Sequence, residues 1–487
     1  MNKNLRYLWL ILATVLSLFI GGKWNIPLAA WIAPVFIIRF FRDSEKAGRN
    51  FLLLWLASSV PAMIAWNGTT FFPPFAEAAF FIVITPISLL PYVVDRLYAR
   101  RFPKAAWVSL VFPVAYTAVD FFSSSGSPFG TFGAVAYSQR GFLPVMQLAS
   151  ITGLWGITFV IGWFAGLANH IWENGFKFTR FALVSSCILL TGFLFGFGRI
   201  LLKPQPEQNP IIAGFSLPNE TMPSVIGQFH SEDETGFRQT VDKLNANQLE
   251  QIRTMAQNGA NIVVLQEGAI MGMIDQIEAV MHEASIIAVE ENIYIVLPTF
   301  DLGKSPAENK VHIIDPNGEV ILTHIKYGGN QFEGTLKGDG VLQTLDTPYG
   351  KFSAVICWDA DFPNVIKQAG EQKVDLLFIP SNDWLSVKDI HTGMATFRAV
   401  ENGMTVYRQV GQGVSIVVDA YGKEYNRVDS FDGDTTGFTN IQTVATPVGS
   451  VDTLYTSLGD LFGNVMLLGF VGLLVGLFLT RKMNPTA

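Results

Sequence analysis

The chain has little that can cross-link or ligate. Only two of its 487 residues are cysteine, Cys187 and Cys357, and its six histidines are scattered. That argues against a disulfide framework and offers no metal-ligand spacing, so neither a metal nor a cofactor is expected. Cys187 lies inside the apolar run 181–190, and a bridge from there to Cys357 would tie a membrane segment to a strand of the polar region. Charge is also scarce. Charged residues make up 15% and the net charge is −7, which argues against a nucleic-acid binder. There is no internal repeat and no low-complexity tract. Hydrophobic residues reach 49% and mean hydropathy is +0.33, too apolar for an ordinary soluble protein. The composition is that of an integral membrane protein.

The apolar residues are grouped. Stretches of spanning length, about 20 residues each, fall at 7–21, 25–41, 51–66, 77–96, 105–122, 150–171 and 181–199, with an eighth at 459–480. A cleaved signal peptide is the rival reading of residues 1–22. No clear small-residue cleavage pattern follows it, which favours a retained helix. Basic residues sit at alternate boundaries: Lys3 and Arg6; Arg42, Lys46 and Arg49; Arg96, Arg100, Arg101 and Lys104; Lys177 and Arg180; Arg481 and Lys482. The intervening loops hold only Lys23 and Arg140. Basic loops stay on the cytoplasmic side, so both termini are expected there and the segment between the last two spans on the opposite side.

Three regions follow: a transmembrane bundle of about seven spans over 1–202, a polar domain over 203–455, and a last span with its tail over 456–487. Lys203-Pro-Gln-Pro206 makes a stiff exit from the bundle. In the polar domain, strands are predicted at 211–217, 261–266, 292–298, 310–315, 320–325, 352–357, 374–380, 405–409 and 413–418. Helices are predicted at 234–258, 275–290, 362–371 and 388–402. Strands alternating with helices imply an α/β domain with covered sheets.

Chemistry enters at Ser353-Ala-Val-Ile-Cys357-Trp358-Asp359-Ala-Asp361-Phe362-Pro363. A short apolar strand runs into a thiol and a helix is expected next, an arrangement that exposes the sulfur and lowers its pKa. Alone, a cysteine after an apolar strand is as often a small buried residue. Two other strand ends change that balance. Asn261-Ile-Val-Val-Leu-Gln-Glu267 ends in a carboxylate that is costly to bury without a partner. Val320-Ile-Leu-Thr-His-Ile-Lys326 ends in an ammonium, although a hairpin lysine on the surface would look the same. Together they form a working set. Glu267 takes the thiol proton, Cys357 attacks an acyl carbon, and Lys326 with a backbone N–H beside the cysteine holds the oxyanion. Water as second nucleophile would make a hydrolase, an amine an N-acyltransferase.

Other residues belong near this set. Glu333, in the loop Tyr327-Gly-Gly-Asn-Gln-Phe-Glu333-Gly, either orients Lys326 or is a solvated loop acid. Asn382 and Trp384 end another strand in Pro380-Ser381-Asn382-Asp383-Trp384 and are expected at the rim, as are Trp358 and Asp359 beside the thiol. His391 and Arg398 lie on the next helix, where a structural role is as good a reading as a catalytic one. Arg398 can pair with Glu401 within that helix.

Glu267, Lys326 and Cys357, by type, order and strand context, resemble the triad of the carbon–nitrogen hydrolase (nitrilase) superfamily. Ser381-Asn382-Asp383-Trp384 and Phe397-Arg398-Ala399-Val400-Glu401-Asn402-Gly403 resemble its downstream motifs. Within it, the order of bundle, polar domain and final span is similar to the bacterial apolipoprotein N-acyltransferase family. Gly130-Thr-Phe-Gly133, Tyr137-Ser-Gln139 and the run from Pro144 to Gly156 resemble that family's bundle. The resemblance implies an αββα sandwich on the outer face of the bacterial inner membrane. It implies transfer of a fatty acyl chain from a phospholipid, through a Cys357 thioester, to the N-terminal amine of an apolipoprotein's diacylglyceryl-cysteine, with no cofactor. Trp358 and Asp359 stand where the family has tyrosine and glutamate, and Phe332-Glu333-Gly334 replaces its Pro-Phe-Gly-Glu-Tyr loop. A membrane-anchored amidase and a non-catalytic scaffold are the rival readings.

Overall fold

The computed structural model describes residues 5–483 apart from 44, 104, 207, 232 and 434–436. Lys3 and Lys104 therefore lie outside the described residues, as do the side chains of Arg481 and Lys482. The chain divides into two units, one running to Leu202 and resuming at Ser457, the other Lys203–Thr456.

Each predicted span overlaps a helix of the first unit. Among the described residues, five helical stretches are long and apolar enough to cross a membrane: Pro74–Arg101, Ala106–Ser124, Leu154–Glu173, Arg180–Leu201 and Leu461–Leu479. Leu5–Ser17, Pro27–Arg42 and Ala47–Ala65 complete the set. Two boundaries differ from expectation. The span read at 77–96 is two helices, Pro74–Ser88 and Leu90–Arg101, because Pro86 and Pro91 remove backbone donors on either side of Leu89. The span read from 150 starts at Leu154, because Gly153 adopts φ +62°, ψ −159° and ends a preceding turn at Ala149–Thr152. Small residues let helices touch. A Cβ on Gly166 would come 2.2 Å from the Ser109 carbonyl oxygen and one on Gly162 3.0 Å from Pro113 Cα.

The second unit is built on two sheets. Its strands are β1 (Ile211–Ser216), β2 (Ile262–Leu265), β3 (Ile270–Gly272), β4 (Tyr294–Asp301), β5 (Glu308–Ile314), β6 (Val320–Ile325), β7 (Leu345–Thr347), β8 (Gly350–Ala354), β9 (Leu376–Phe378), β10 (Ser381–Asn382), β11 (Thr405–Arg408), β12 (Val410–Gly411), β13 (Val414–Val418), β14 (Glu424–Asp429) and β15 (Thr439–Ala445). One sheet runs β15-β1-β2-β4-β5-β6 with β3 on β4, the other β14-β13-β11-β9-β8-β7, and β10 pairs β12. Period-2 alternation decides the layers. Ile262 and Val264 of β2 meet Leu376 and Phe378 of β9 in the core between the sheets. Val263 and Leu265 face Ile252 of the helix Glu234–Gln257 and Ile277 of the helix Ile274–Glu291. Leu377 faces Ile366 and Ala395, from the helices Pro363–Glu371 and Lys388–Asn402. The result is an αββα sandwich, with helices outside and one apolar layer between the sheets.

The predicted strands and helices of this unit are present. The strands missed are β3, β7, β10, β12, β14 and β15. Those at sheet edges, such as β14 (Glu-Tyr-Asn-Arg-Val-Asp), keep one face partly open and show no apolar run.

Candidate active site

Three strand ends converge. β2 runs through Gln266 to Glu267, β6 ends beside Lys326, and β8 continues to Cys357. Its ladder is kept by Val355 N–H donating to Phe378 O (3.0 Å) and Cys357 N–H to Pro380 O (2.9 Å). No α-helix opens at the cysteine, contrary to the sequence reading. Residues Cys357–Asp361 form a 3-10 turn and the helix begins at Pro363. Cys357 sits at φ +47°, a left-handed conformation uncommon for a side chain of its size.

Lys326 Nζ donates to Glu267 Oε1 at 2.7 Å and to Glu333 Oε1 at 2.5 Å. Glu267 also accepts from Asn309 Nδ2 (2.8 Å) and, on Oε2, from the Asn382 N–H (2.9 Å). The thiol meets the carbonyl of the same residue, with Sγ donating to Asn382 O at 3.7 Å. Glu267 and Cys357 are thus joined through the backbone of one residue, Asn382. The N–H of Cys357 itself is committed to Pro380, and Lys326 and Arg408 are cations that act on the thiol.

The electrostatics follow from burial. Burial alone would lower the Lys326 pKa, but the Glu267 and Glu333 carboxylates outweigh it and hold the ammonium well above its usual range. Burial and the Glu267 carboxylate push the Cys357 thiol well up, against a smaller opposing pull from Lys326. A lowered thiol pKa was the expectation, and it fails because the sulfur is buried beside a carboxylate with no helix N-terminus to favour the thiolate. The resting site therefore holds a neutral thiol, and attack requires that its proton be taken as the bond forms. Glu333 is shifted upward by burial, with Lys326 opposing.

The remaining predicted residues divide by task. Asp359 is a buried tie. Its carboxylate accepts from Tyr327 N–H (2.9 Å), Gly328 N–H (2.7 Å) and Ile356 N–H (3.0 Å) and lies 2.7 Å from His324 Nε2, tying the loop after Lys326 to the cysteine turn. Trp358 packs on that loop, with the Phe332 ring 5.7 Å away. Gly329, at φ +79°, is required there, since a Cβ would lie 2.1 Å from the Trp358 ring. Asn382 contributes its backbone, and Trp384, half-buried, follows on the same segment. Arg398 pairs with Glu401 at 2.6 Å within its helix, away from the chemistry.

Sequence reading passed over His324, Asn309, Asp361 and Arg408. His324 was findable, because it lies two residues before Lys326 on one face of β6. Asn309 in the alternating strand β5 was also out of place. The spacing argument against metal ligands missed a grouping that only the fold makes: ligand atoms of Cys357, Asp383 and His391 lie within 4.8 Å of one another. Those atoms are engaged otherwise, His391 by two carboxylates and Asp383 by Arg408.

Comparison with known proteins finds matches to two parts of the chain. The family model for carbon-nitrogen hydrolase matches residues 225–444, and that for the apolipoprotein N-acyltransferase N-terminal domain matches residues 12–167. The chain is 23% identical over 480 residues to the apolipoprotein N-acyltransferase of Geobacter metallireducens, covering 85% of each chain. It is 21% identical over 486 residues to that of Borreliella burgdorferi, covering 90% of this chain and 88% of the other. Among solved structures it is similar to an amidase from Nesterenkonia sp., at 17% identity and a TM-score of 0.38, over 53% of this chain and 97% of that one.

Proposed function

We propose that the chain, which matches the family models for carbon-nitrogen hydrolase and for the apolipoprotein N-acyltransferase N-terminal domain, is an N-acyltransferase in which Cys357 carries a fatty acyl group from a membrane phospholipid to the N-terminal amine of a lipoprotein's diacylglyceryl-cysteine. The observation that carries this reading is the Glu267 carboxylate, bonded to Lys326 Nζ at 2.7 Å and, through the Asn382 backbone, linked to Cys357 Sγ.

In the first half-reaction Sγ attacks the ester carbonyl carbon while Glu267 takes the thiol proton. The oxyanion forms beside the Lys326 ammonium, which is already charged and needs no reorganisation. The C–O bond breaks, Glu267 returns its proton to the departing lysophospholipid oxygen, and a thioester remains. In the second, the acceptor amine attacks the thioester carbonyl and gives its proton to Glu267. The C–S bond breaks and the sulfur regains the proton. Glu333 steadies the lysine. Trp358 and Phe332 give the site an apolar wall suited to an acyl chain. The alternation of basic loops supports a topology with both termini cytoplasmic and residues 203–455 on the outer side, where both lipid substrates are held.

The test is intact-protein mass spectrometry of the purified chain after incubation with phospholipid, wild type beside Cys357→Ala. A fatty-acyl mass increase in wild type alone is the expected result. No adduct on folded wild-type protein across donor lipids, together with release of ammonia from small amides, would replace the transferase with an amidase.

A further inference from the structure

Four buried charged side chains meet directly beyond the nucleophile. His391 Nδ1 lies 2.7 Å from Asp383 Oδ1, and its Nε2 lies 3.1 Å from Asp361 Oδ1. Arg408 donates to both oxygens of Asp383, at 3.1 and 3.0 Å, and to Thr392 Oγ1 at 2.8 Å. Asp361 and Arg408 are 0% exposed, Asp383 4% and His391 7%. No step of the thioester chemistry uses them. Burying two carboxylates, a guanidinium and an imidazole is costly, and such a set is weak evidence for stability in itself.

Its position shows what it does. The network abuts the thiol, with Cys357 Sγ within 4.8 Å of His391 and Asp383. It also adjoins Asn382, the residue whose backbone joins base to nucleophile. Asn382 binds Glu267 through its N–H and Cys357 through its carbonyl, and Asp383 is the next residue. The backbone there is held by Asp383 N–H on Gly411 O at 2.8 Å. Gly411 leaves no slack, because a Cβ on it would lie 2.5 Å from Asn382 Oδ1. What fixes the rotation of this segment is the Asp383 carboxylate, held by both arms of the Arg408 fork, with His391 Nδ1 sharing Oδ1 and lying 3.1 Å from Arg408 Nη2. Asp361 then ties His391 back to the turn that carries Cys357.

We propose that the Asp361–His391–Asp383–Arg408 network is a positioning device that holds the Asn382 backbone, and through it Glu267 and Cys357, in register for proton transfer. Asp383, His391 and Arg408 are positioning residues that set the reactivity of the thiol without touching substrate. The inference rests on the reading of Glu267 as base and Cys357 as nucleophile.

The experiment needs no lipid. In full-length protein carrying Cys187→Ser, alkylation of Cys357 by iodoacetamide is followed by intact mass. The reaction forms an S–C bond, expels iodide and sends the thiol proton to the base, so its rate reports the register directly. Arg408→Met and Asp383→Asn are expected to slow it by about tenfold or more, the scale of a misplaced reacting group. Arg408→Lys, which keeps the charge but loses the fork, should recover part of the rate. Should Arg408→Met fail to fold, His391→Gln, which leaves the Arg408–Asp383 pair in place, carries the same test. Folded variants that alkylate at the wild-type rate overturn the proposal, as does Arg408→Lys behaving no better than Arg408→Met. Glu267→Gln separates the two readings. If it leaves alkylation unchanged, the base assignment fails; if it alone slows the reaction, only the positioning network fails.

Discussion

Burial and Glu267 outweigh Lys326 and hold the Cys357 pKa up, so the proposed mechanism needs Glu267 to take the proton rather than a standing thiolate. Glu267→Gln is therefore expected to lower the rate of acyl-adduct formation by about 100-fold or more, the usual worth of a positioned base. Lys326→Met should cost about 100-fold or more as well, through the oxyanion. Single-turnover mass spectrometry measures both, and a loss under about threefold in either, against general-base catalysis of this size, would remove that residue from the proposed mechanism. His391 offers a stability test. Burial opposes its charge, but Asp361 and Asp383 raise its pKa from 6.5 to about 9. A raised pKa stabilises the fold fully below 6.5 and ceases to do so as pH rises through about 9. Asp383, lowered to about 2 by Arg408 and His391 against burial, contributes fully above 3.8 and loses that contribution as pH falls from there through about 2. The thermal midpoint should hold from pH 5 to 6.5 and fall towards 9, and His391→Gln should flatten that fall. A midpoint that rises across this window would contradict the charged histidine. At this scale Glu267, Lys326 and Cys357 were legible, because a charged or nucleophilic residue ending an apolar strand is locally conspicuous. Asp361 and Arg408 were not, since a charge looks solvated until the fold shows that it is buried.

Among elements, the loop after β6 matters most. Its glycines exist because Trp358 lies against them, with no room for a Cβ at Gly329. Gly329→Ala should displace the loop carrying Phe332 and Glu333, lower acyl-adduct formation by about tenfold, in keeping with the cost of misplacing groups at a site, and lower the thermal midpoint as well, since the added Cβ meets the Trp358 ring at a positive φ. Full activity would mean that the loop takes no part in the site. The sheets themselves depend on the inter-sheet layer. Phe352→Ala, at a fully buried position between them, is expected to cost about 3–5 kcal/mol, read by denaturant unfolding of the second unit. Central strands such as β2 and β13 were readable as apolar runs buried on both faces. Edge strands such as β14 and β15 were hidden, because one polar face broke the run.

For the whole molecule, topology is the testable claim. A reporter active only outside the cytoplasm, fused within 203–455, should be active, and the same reporter fused after Lys482 should not. The reverse pattern would overturn the orientation drawn from the basic loops. Cys187→Ser should leave adduct formation unchanged, since Cys187 is a free thiol on a membrane helix.

The sequence by itself determined that the chain is a membrane protein with an α/β unit, and which three residues end the strands that meet. Hydropathy and strand periodicity are local properties, written over a few residues at a time, and no fold is needed to read them. Only the tertiary structure decided the thiol's protonation, the role of Asp359 as a tie between two loops, and the ion network of Asp361, His391, Asp383 and Arg408. Each of these depends on which groups burial brings within about 3 Å of one another, and residues 361 and 408 carry no sign in the chain that they will share one histidine and one aspartate.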